Sequence, residues 1–190
     1  TLHTIGWPLK SDTYGGSFVY HIADNQVSVG FVVGLDYKNP HLSPFDEFQR
    51  FKTHPAIRTL FEGAKRISYG ARALSEGGFQ SIPKLTFPGG MLVGDTAGFL
   101  NVAKIKGTHT SMKSAMVAAE AVFELLPVEY DEEAPGSALE ATAYPDRLKK
   151  TWLWTELHQV RNIRPGFNKG LLLGLINGAL ETYIFRGKAP

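Results

Sequence analysis

The residues of this sequence that could do chemistry lie close together, in the stretch 87–123. A turn signal at residues 88–90 precedes the short apolar run 91–93, which ends at Gly94 and Asp95. Short apolar runs between turn residues are typical of buried strands. An aspartate at the end of such a strand can accept hydrogen bonds from the hydroxyl groups of a ribose or a ribityl chain.

A loop containing Gly107 and Thr108 then leads to a helix predicted over about residues 110–126. The free N–H groups and the positive dipole end of a helix start attract anions, and a reduced flavin carries negative charge around N1 and O2. The order strand, Gly-Asp, loop, helix therefore suits a nucleotide or a flavin. The same residues would also serve as an ordinary strand-end turn and an N-cap at Thr108 or Thr110, and spacing alone does not separate the two.

A second candidate is the glycine pair Gly15 and Gly16, just before a strand predicted over residues 17–22. Neighbouring glycines have no Cβ, so they allow a ligand or another backbone to approach closely, and they also occur in plain turns and bulges. Asp24-Asn25 and the alternating residues 27–33 complete an antiparallel hairpin.

The elements that follow the hairpin are predicted to be mainly helical. Ser43 reads as an N-cap for a helix over residues 44–52, and a short helix is expected over 55–61. Alternation in residues 65–74 predicts a strand. One side of the first helix carries the aromatic stripe Phe45, Phe48 and Phe51, which is typical of core packing and would also suit the wall of a hydrophobic channel.

The C-terminal part combines an acidic loop with two helical patterns. Residues 129–143 are polar and acidic, and the pattern of residues 146–160 predicts one amphipathic helix. Trp152 and Trp154 beside two lysines suit a membrane interface or an ordinary core equally. The apolar residues 170–185 are fewer than the ~20 that a spanning helix needs. They predict a helix that dips into one leaflet, with a buried core helix as the alternative.

Composition excludes several classes of function. The chain has 190 residues, a net charge of +2 from 20 basic and 18 acidic residues, and no basic run, so nothing favours a nucleic-acid partner. It has no cysteine, which excludes disulfides, thiol catalysis and cysteine-ligated clusters within the chain. None of the six histidines has a metal-binding spacing, and no dinucleotide fingerprint, P-loop or hydrolase motif is present.

Several uncommon sequence segments resemble the electron transfer flavoprotein–ubiquinone oxidoreductases and occur in the same order as in that family. The resemblance covers nearly the whole chain and weakens only over residues 128–145. The segments are HTIGWPL (3–9), TYGGSF (13–18), VVGLDYKNP (32–40), LSPFDEFQRFKTHPAIR (42–58), GFQSIPKLTFPGG (78–90), GFLNVAKIKGTHTSMKS (98–114) and RNIRP (161–165).

The resemblance implies that this chain is the middle of a longer enzyme. Such an enzyme takes electrons from electron transfer flavoprotein and passes them through a [4Fe–4S] cluster and FAD to ubiquinone. It sits on membrane lipid at the mitochondrial inner membrane, matrix side, or at the bacterial cytoplasmic membrane, cytoplasmic side. The dinucleotide fingerprint would precede this chain and the cluster ligands would follow it, so the isolated chain is expected to bind FAD poorly and to be inactive.

The resemblance also implies roles for individual residues. Gly15 and Gly16 match the paired glycines that contact the quinone ring, and Tyr14 and Phe18 are available to line that slot. On the flavin side the candidates are Gly94, Asp95, Asn101, Gly107 and Thr108. Asp95 would hold the ribityl or pyrophosphate side, although some family members have no acid there. Asn101 would lie near flavin N5 or O4, and Thr108 would face N1 and O2.

The fold expected from this resemblance is α+β. An antiparallel quinone-binding lobe (1–86) would join part of a glutathione-reductase-like FAD domain (87–127). A linker (128–145) would lead to an amphipathic helix and a monotopic membrane helix (146–190). Two alternatives remain: a related membrane flavoprotein that acts on an isoprenoid, resembling the geranylgeranyl reductases, and a non-catalytic lipid-binding module.

Overall fold

The computed structural model describes residues 1–126 and 139–189 and has an α+β fold with small antiparallel sheets, as predicted. It divides into two compact units, Thr1–Gly70 and Ala71–Pro190. Residues 128–138 of the predicted linker lie outside the described residues.

The first unit is built on a three-stranded antiparallel sheet in the order β1-β2-β3. The strands are β1 (Leu2–Ile5), β2 (Gly15–Ile22) and β3 (Gln26–Val33). The predicted hairpin is confirmed. Its turn residues Asp24 and Asn25 both have positive φ, 57° and 54°, as a tight hairpin turn with the right twist requires.

Two helices follow the sheet, α1 (Pro44–Lys52) and α2 (Pro55–Arg58). The bounds and the N-cap predicted for α1 are confirmed, because Asp46 N donates to Ser43 Oγ at 3.2 Å. The aromatic stripe of α1 is split. Phe51 is buried and packs on Phe31 at 5.7 Å between ring centroids, whereas Phe45 is 68% exposed.

The strand predicted over residues 65–74 is wrong. Residues 64–78 have no regular structure, and Ile67 and Tyr69 are exposed. Their alternation meets no partner strand among the described residues, and alternation without a partner cannot satisfy the backbone N–H and C=O groups of a strand.

The second unit has, after a short 3₁₀ turn at Phe79–Ser81, a minimal hairpin of two antiparallel strands, β4 (Thr86–Phe87) and β5 (Gly90–Met91). The buried strand predicted over residues 91–93 is therefore wrong in extent, since only Met91 is paired and all three residues are half-buried. The turn at residues 88–90 pairs the start of this apolar run with the residues directly before the turn. The chain then enters a 3₁₀ turn, Gly94–Ala97, and the loop before α3 (Thr108–Phe123).

The core of the second unit lies between α3 and two short helices, α4 (Ala143–Lys149) and α5 (Trp152–Gln159). One helix was predicted over residues 146–160, and this is wrong. The helix breaks at Thr151, whose backbone is extended and whose Oγ1 donates to Leu148 O at 2.7 Å. A threonine that bonds the preceding turn in this way competes with helical continuation.

The centre of this core is Tyr144, which is fully buried. Its hydroxyl donates to Leu92 O at 3.2 Å, and burial raises the pKa of Tyr144 to about 12 although a hydrogen bond with Ser114 opposes the rise. The phenol is therefore a fixed neutral donor that ties α4 to the end of the β4-β5 hairpin.

The C-terminal segment is helical over the length predicted. A short helix α6 (Ile163–Gly166) leads to α7 (Leu171–Leu180) and directly to a π-helical turn, Glu181–Phe185. Arg186 has φ 50° and ends the run. In the part of the chain that the structure describes, no helix is long and apolar enough to cross a bilayer.

Candidate functional site

Asp95 and Gly107 are brought together at the start of α3. The Oδ1 atom of Asp95 is buried and has no hydrogen-bond partner among the described residues. A Cβ placed on Gly107 would stand 2.5 Å from this atom, so only glycine fits beside it. The carboxylate oxygen therefore lies in a small cradle at the N-cap of α3 and has an unused capacity to accept a hydrogen bond.

The turn that carries Asp95 is fastened to α3 through Gly94. Gly94 has φ 62°, and its N–H donates to Ser114 Oγ at 2.9 Å. Ser114 is itself buried, and its hydroxyl donates to Ser111 O at 2.8 Å. Ser114 could not be predicted from the sequence, because a serine inside an alanine-rich helix gives no local signal of such a contact.

The two candidate threonines, Thr108 and Thr110, have different environments in the first turn of α3. The helix begins at Thr108 and not near Thr110. Thr110 is buried, and its hydroxyl donates to Gly107 O at 2.8 Å, so its own turn occupies it. The side chain of Thr108 is exposed at the first helical position.

Asn101 is held from the α5 side. It is fully buried, its Nδ2 donates to Glu156 Oε1 at 2.7 Å, and its Oδ1 accepts from Lys104 N at 3.1 Å. Both ends of the amide are thus oriented by this chain. Glu156 could not be predicted as its partner from the sequence, because it lies 55 positions away, on α5.

One oxygen of Glu156 accepts several hydrogen bonds from this loop and from the start of α3. Besides Asn101, Oε1 accepts from His109 Nε2 at 2.9 Å and from Lys104 Nζ at 3.3 Å. Burial by itself would raise the pKa of Glu156, but the hydrogen bonds from His109, Asn101 and Lys104 outweigh it and the pKa is lowered. The ring of His109 also stacks on Trp152, with centroids 5.7 Å apart. The start of α3 is therefore clamped on α5.

In the first unit, Gly15 and Gly16 form the start of β2 itself. A Cβ on Gly16 would stand 2.1 Å from Thr4 O, and one on Gly15 would stand 2.3 Å from Val32 O. Backbone of the two neighbouring strands thus fills the space beside both residues. Close strand packing alone accounts for glycine at these positions.

The structure places Tyr14 and Phe18 at different points of the sheet. Tyr14 directly precedes Gly15, and its carbonyl accepts from Gly34 N at 2.8 Å. Phe18 lies farther along β2, where its ring covers Gly30 of β3 and stacks on Tyr20 at 5.1 Å between centroids. Tyr14 therefore shares the glycine end of the sheet, and Phe18 belongs to its middle.

Exposed apolar side chains gather at the glycine end of the sheet, the end formed by Gly15, Gly16 and their strand partners. Ile5 pairs with Gly16 and is 85% exposed. Leu35 lies two residues after β3 and is 71% exposed, and Trp7 lies two residues after β1. Ile5 and Leu35 therefore leave apolar surface at this end that the unit itself does not cover, whereas Trp7, 43% exposed, packs edge-on against His54 with ring centroids 4.8 Å apart.

The helical run 171–185 has its apolar side turned outward. Small and polar residues form an inner stripe at helical spacing: Gly174, Asn177, Gly178 and Glu181. The exposed large residues, here called the outer face, are Leu171, Leu172, Leu173, Leu175, Ile176, Leu180, Tyr183, Ile184 and Phe185. This is the reverse of a soluble amphipathic helix, whose apolar side faces the protein.

Specific contacts hold the inner stripe against the residues on either side of α6. A Cβ on Gly174 would stand 2.3 Å from the ring of Phe167, so the helix lies directly on that ring. Asn177 Nδ2 donates to Asn162 O at 2.9 Å, and Glu181 Oε1 accepts from Asn162 Nδ2 at 3.3 Å. The orientation of the helix is therefore fixed by close packing and by polar contacts.

The chain is similar to proteins of known name over its whole length. Residues 1–74 match a family model described as "ETF-QO, ubiquinone-binding". Proteins named mitochondrial electron transfer flavoprotein-ubiquinone oxidoreductase are 56% identical in Oryza sativa subsp. japonica and 57% identical in Homo sapiens, with 100% and 99% of this chain covered. The relative from Dictyostelium discoideum is 52% identical over 100% of the chain. The chain spans about a third of these relatives, 31–32% of their length.

Proposed function

Since this chain belongs to the electron transfer flavoprotein–ubiquinone oxidoreductase family, we propose that it is part of an enzyme that passes electrons from electron transfer flavoprotein to ubiquinone. One observation carries the proposal. The ubiquinone-binding match covers residues 1–74, and the fold divides independently at nearly the same place, after Gly70. The first unit is then the quinone-binding part.

We propose that ubiquinone binds at the glycine end of the sheet. A quinone head is flat and uncharged and has two carbonyl acceptors, so it needs an apolar slot with one or two donors. Ile5, Trp7 and Leu35 supply exposed apolar surface there, and Tyr14 lies beside them. Gly15 and Gly16 shape this end by letting the strands approach, and Phe18 supports the sheet behind it.

The second unit is proposed to contact FAD, which supplies the change between one- and two-electron transfer when it is bound. The residues fit such a group on two counts. The unpartnered Oδ1 of Asp95 can accept from a ribityl hydroxyl, and the start of α3 at Gly107 and Thr108 favours the negative charge of a reduced ring. Gly94 fixes the turn on α3, and Asn101 is proposed to act near N5 or O4.

A [4Fe–4S] cluster is not accommodated by this chain. Its sequence has no cysteine, and the described residues contain no cluster of side chains suited to a metal ion. If the whole protein holds such a cluster, the ligands come from other parts of it.

The outer face of residues 171–185 is proposed to lie on a membrane. Nine large apolar side chains on one helical run exceed what a soluble surface normally exposes, and a run of this length suits insertion into one leaflet. The relatives are named as mitochondrial, so we propose the mitochondrial inner membrane, matrix side, as the location.

Fluorescence of Trp7 tests the quinone site. Trp7 is the only tryptophan of the first unit, so the double variant Trp152→Phe/Trp154→Phe makes the signal specific. Short-chain ubiquinone should quench it with saturation. Duroquinol, a reduced ring without an isoprenoid chain, serves as the comparison ligand. Linear quenching without saturation at any concentration would contradict the proposed location.

Substitution on the outer face tests the membrane proposal. Leu172→Asp or Leu175→Asp should weaken vesicle binding strongly without changing the far-UV circular dichroism, because both side chains are exposed. Leu126→Asp is the matched control, since Leu126 is 70% exposed, three residues after the end of α3. Equal vesicle binding by all three variants would exclude the outer face as the attachment surface.

A further inference from the structure

We propose, building on the membrane attachment above, that the outer face and its flanking cations select an anionic lipid bilayer over a neutral one. The charge of the chain is concentrated around this helix. Residues 163–190 contain four basic residues and one acidic residue, whereas residues 1–162 contain 16 and 17. The small net charge of the whole chain therefore hides a local excess of three positive charges.

The basic residues stand at both ends of the outer face. Lys169 lies two residues before α7, and Arg186 and Lys188 follow the π-helical turn, all three exposed. No ion pair within residues 1–126 and 139–189 neutralises these three side chains. A run of 15 helical residues is about 22 Å long, so a helix lying flat on a bilayer would place cations at headgroup level at both ends.

The single acid of the segment is turned away from this surface. Glu181 is only 2% exposed, and its Oε2 accepts from Gly187 N at 3.0 Å while Oε1 accepts from Asn162 Nδ2. A carboxylate on the outer face would repel lipid phosphate and would oppose insertion. The structure thus separates charge by sign, with the carboxylate inside and the cations at the rim.

Charge also argues against a second copy of this chain as the occupant. A symmetric dimer through the outer face would bring two groups of like charge together at the same rim, which is unfavourable. A bilayer with anionic headgroups offers the opposite sign, and it accepts an apolar face without requiring shape complementarity. Each lysine or arginine near such a surface contributes about fivefold in affinity.

Vesicle binding measures the selectivity. The full chain is titrated with vesicles of phosphatidylcholine alone and of phosphatidylcholine with phosphatidylglycerol, each at low and high salt. We expect tighter binding to the anionic vesicles and loss of that advantage at high salt. Lys169→Gln/Lys188→Gln should weaken anionic binding roughly 30-fold and leave neutral binding unchanged. Arg72→Gln/Lys113→Gln, which removes the same charge elsewhere in the second unit, is the matched control.

The outcomes separate this inference from the proposal on which it rests. Equal, salt-independent binding to both vesicle types overturns the selectivity and leaves membrane attachment intact. Equal weakening by the control variant overturns the role of the flanking residues in favour of total charge. Absence of binding to either vesicle, with or without self-association of the chain, overturns both.

Discussion

His109 Nε2 lies 2.9 Å from Glu156 Oε1, although the two residues are 47 positions apart in the sequence. The same oxygen accepts from the fully buried amide of Asn101. One carboxylate on α5 therefore holds both the loop before α3 and the first turn of that helix. The position of the proposed flavin-contacting residues depends on a helix outside the stretch that carries them.

Glu156→Ala should lower the free energy of unfolding by about 1–3 kcal/mol, since it leaves the buried Asn101 amide without an acceptor. Urea denaturation measures this. Glu120→Ala, on the exposed side of α3, is the control and should change little. If the two variants have the same stability, the clamp contributes nothing to the fold.

Lowering the pH should weaken the stabilisation that Glu156 gives to the fold. The pKa of Glu156 is lowered from about 4.5, so the unfolded chain binds the proton more readily than the folded one. The stabilisation is therefore complete above that value and is lost as pH falls below it. The difference in unfolding free energy between the wild type and Glu156→Gln should shrink between about pH 5 and pH 3. A constant difference would contradict this assignment.

His158 should cause a separate loss of folding stability on acidification, at a higher pH than Glu156 does. Its pKa is lowered by burial and by the Arg161 guanidinium, whose Nη1 lies 2.8 Å from His158 Nε2. The stabilisation is then complete above the ordinary histidine pKa of about 6.5 and is lost as pH falls. His158→Gln should flatten the stability profile between about pH 7 and pH 5. An unchanged profile in the variant would show that another group is responsible.

Thr108→Val in the full-length protein should lower the flavin potential by tens of millivolts. A hydrogen bond that strengthens on reduction is worth about 1–3 kcal/mol, and about 1.4 kcal/mol corresponds to 59 mV for one electron. Because Thr108 is exposed at the first position of α3, the substitution should not affect folding. Thr155→Val, on the exposed side of α5, is the control. Potentials that match the wild type would place Thr108 away from the ring.

Gly16→Ala should destabilise the first unit by about 1–3 kcal/mol, because the new Cβ would meet Thr4 O at 2.1 Å. Gly70→Ala is the control, since nothing lies within 4 Å of a Cβ there. A stable Gly16→Ala protein would mean that β1 and β2 can separate at this point.

Leu35→Gln tests the quinone site without this complication, because Leu35 is exposed and its substitution leaves the strands unchanged. It should weaken ubiquinone binding about fivefold through lost apolar contact and should leave stability intact. Fluorescence titration measures the affinity. Unaltered affinity would move the quinone away from the glycine end.

Local signals in the sequence predicted the elements that are stabilised locally. The β2-β3 hairpin follows from alternation around Asp24-Asn25, and α1 follows from Ser43 and Pro44. Residues 65–74 alternate equally well but form no strand, because a strand also needs a partner that alternation does not provide. Thr151 likewise breaks a helix whose apolar spacing continues through it.

The candidate residues that share one short segment do lie near each other, whereas contacts between distant segments could not be predicted. Asp95 and Gly107 are adjacent in space. Glu156 and Ser114 were not foreseen, because their contacts with Asn101 and Gly94 join residues that are 55 and 20 positions apart in the sequence. The outward side of residues 171–185 follows from the inner stripe, in which Glu181 is the one charged residue.

The inner stripe has a practical consequence for extraction. Residues 171–185 are attached to the protein through the contact of a glycine with an aromatic ring and through hydrogen bonds of amide and carboxylate groups. Their apolar side chains face outward. A mild detergent that coats hydrocarbon would replace the lipid and leave these attachments untouched. A chaotrope such as urea, which solvates amide groups, would act on the attachments themselves. Under the proposed membrane attachment, detergent should release a folded protein, whereas chaotropic washing should detach the helix from the protein before it frees the protein from the membrane.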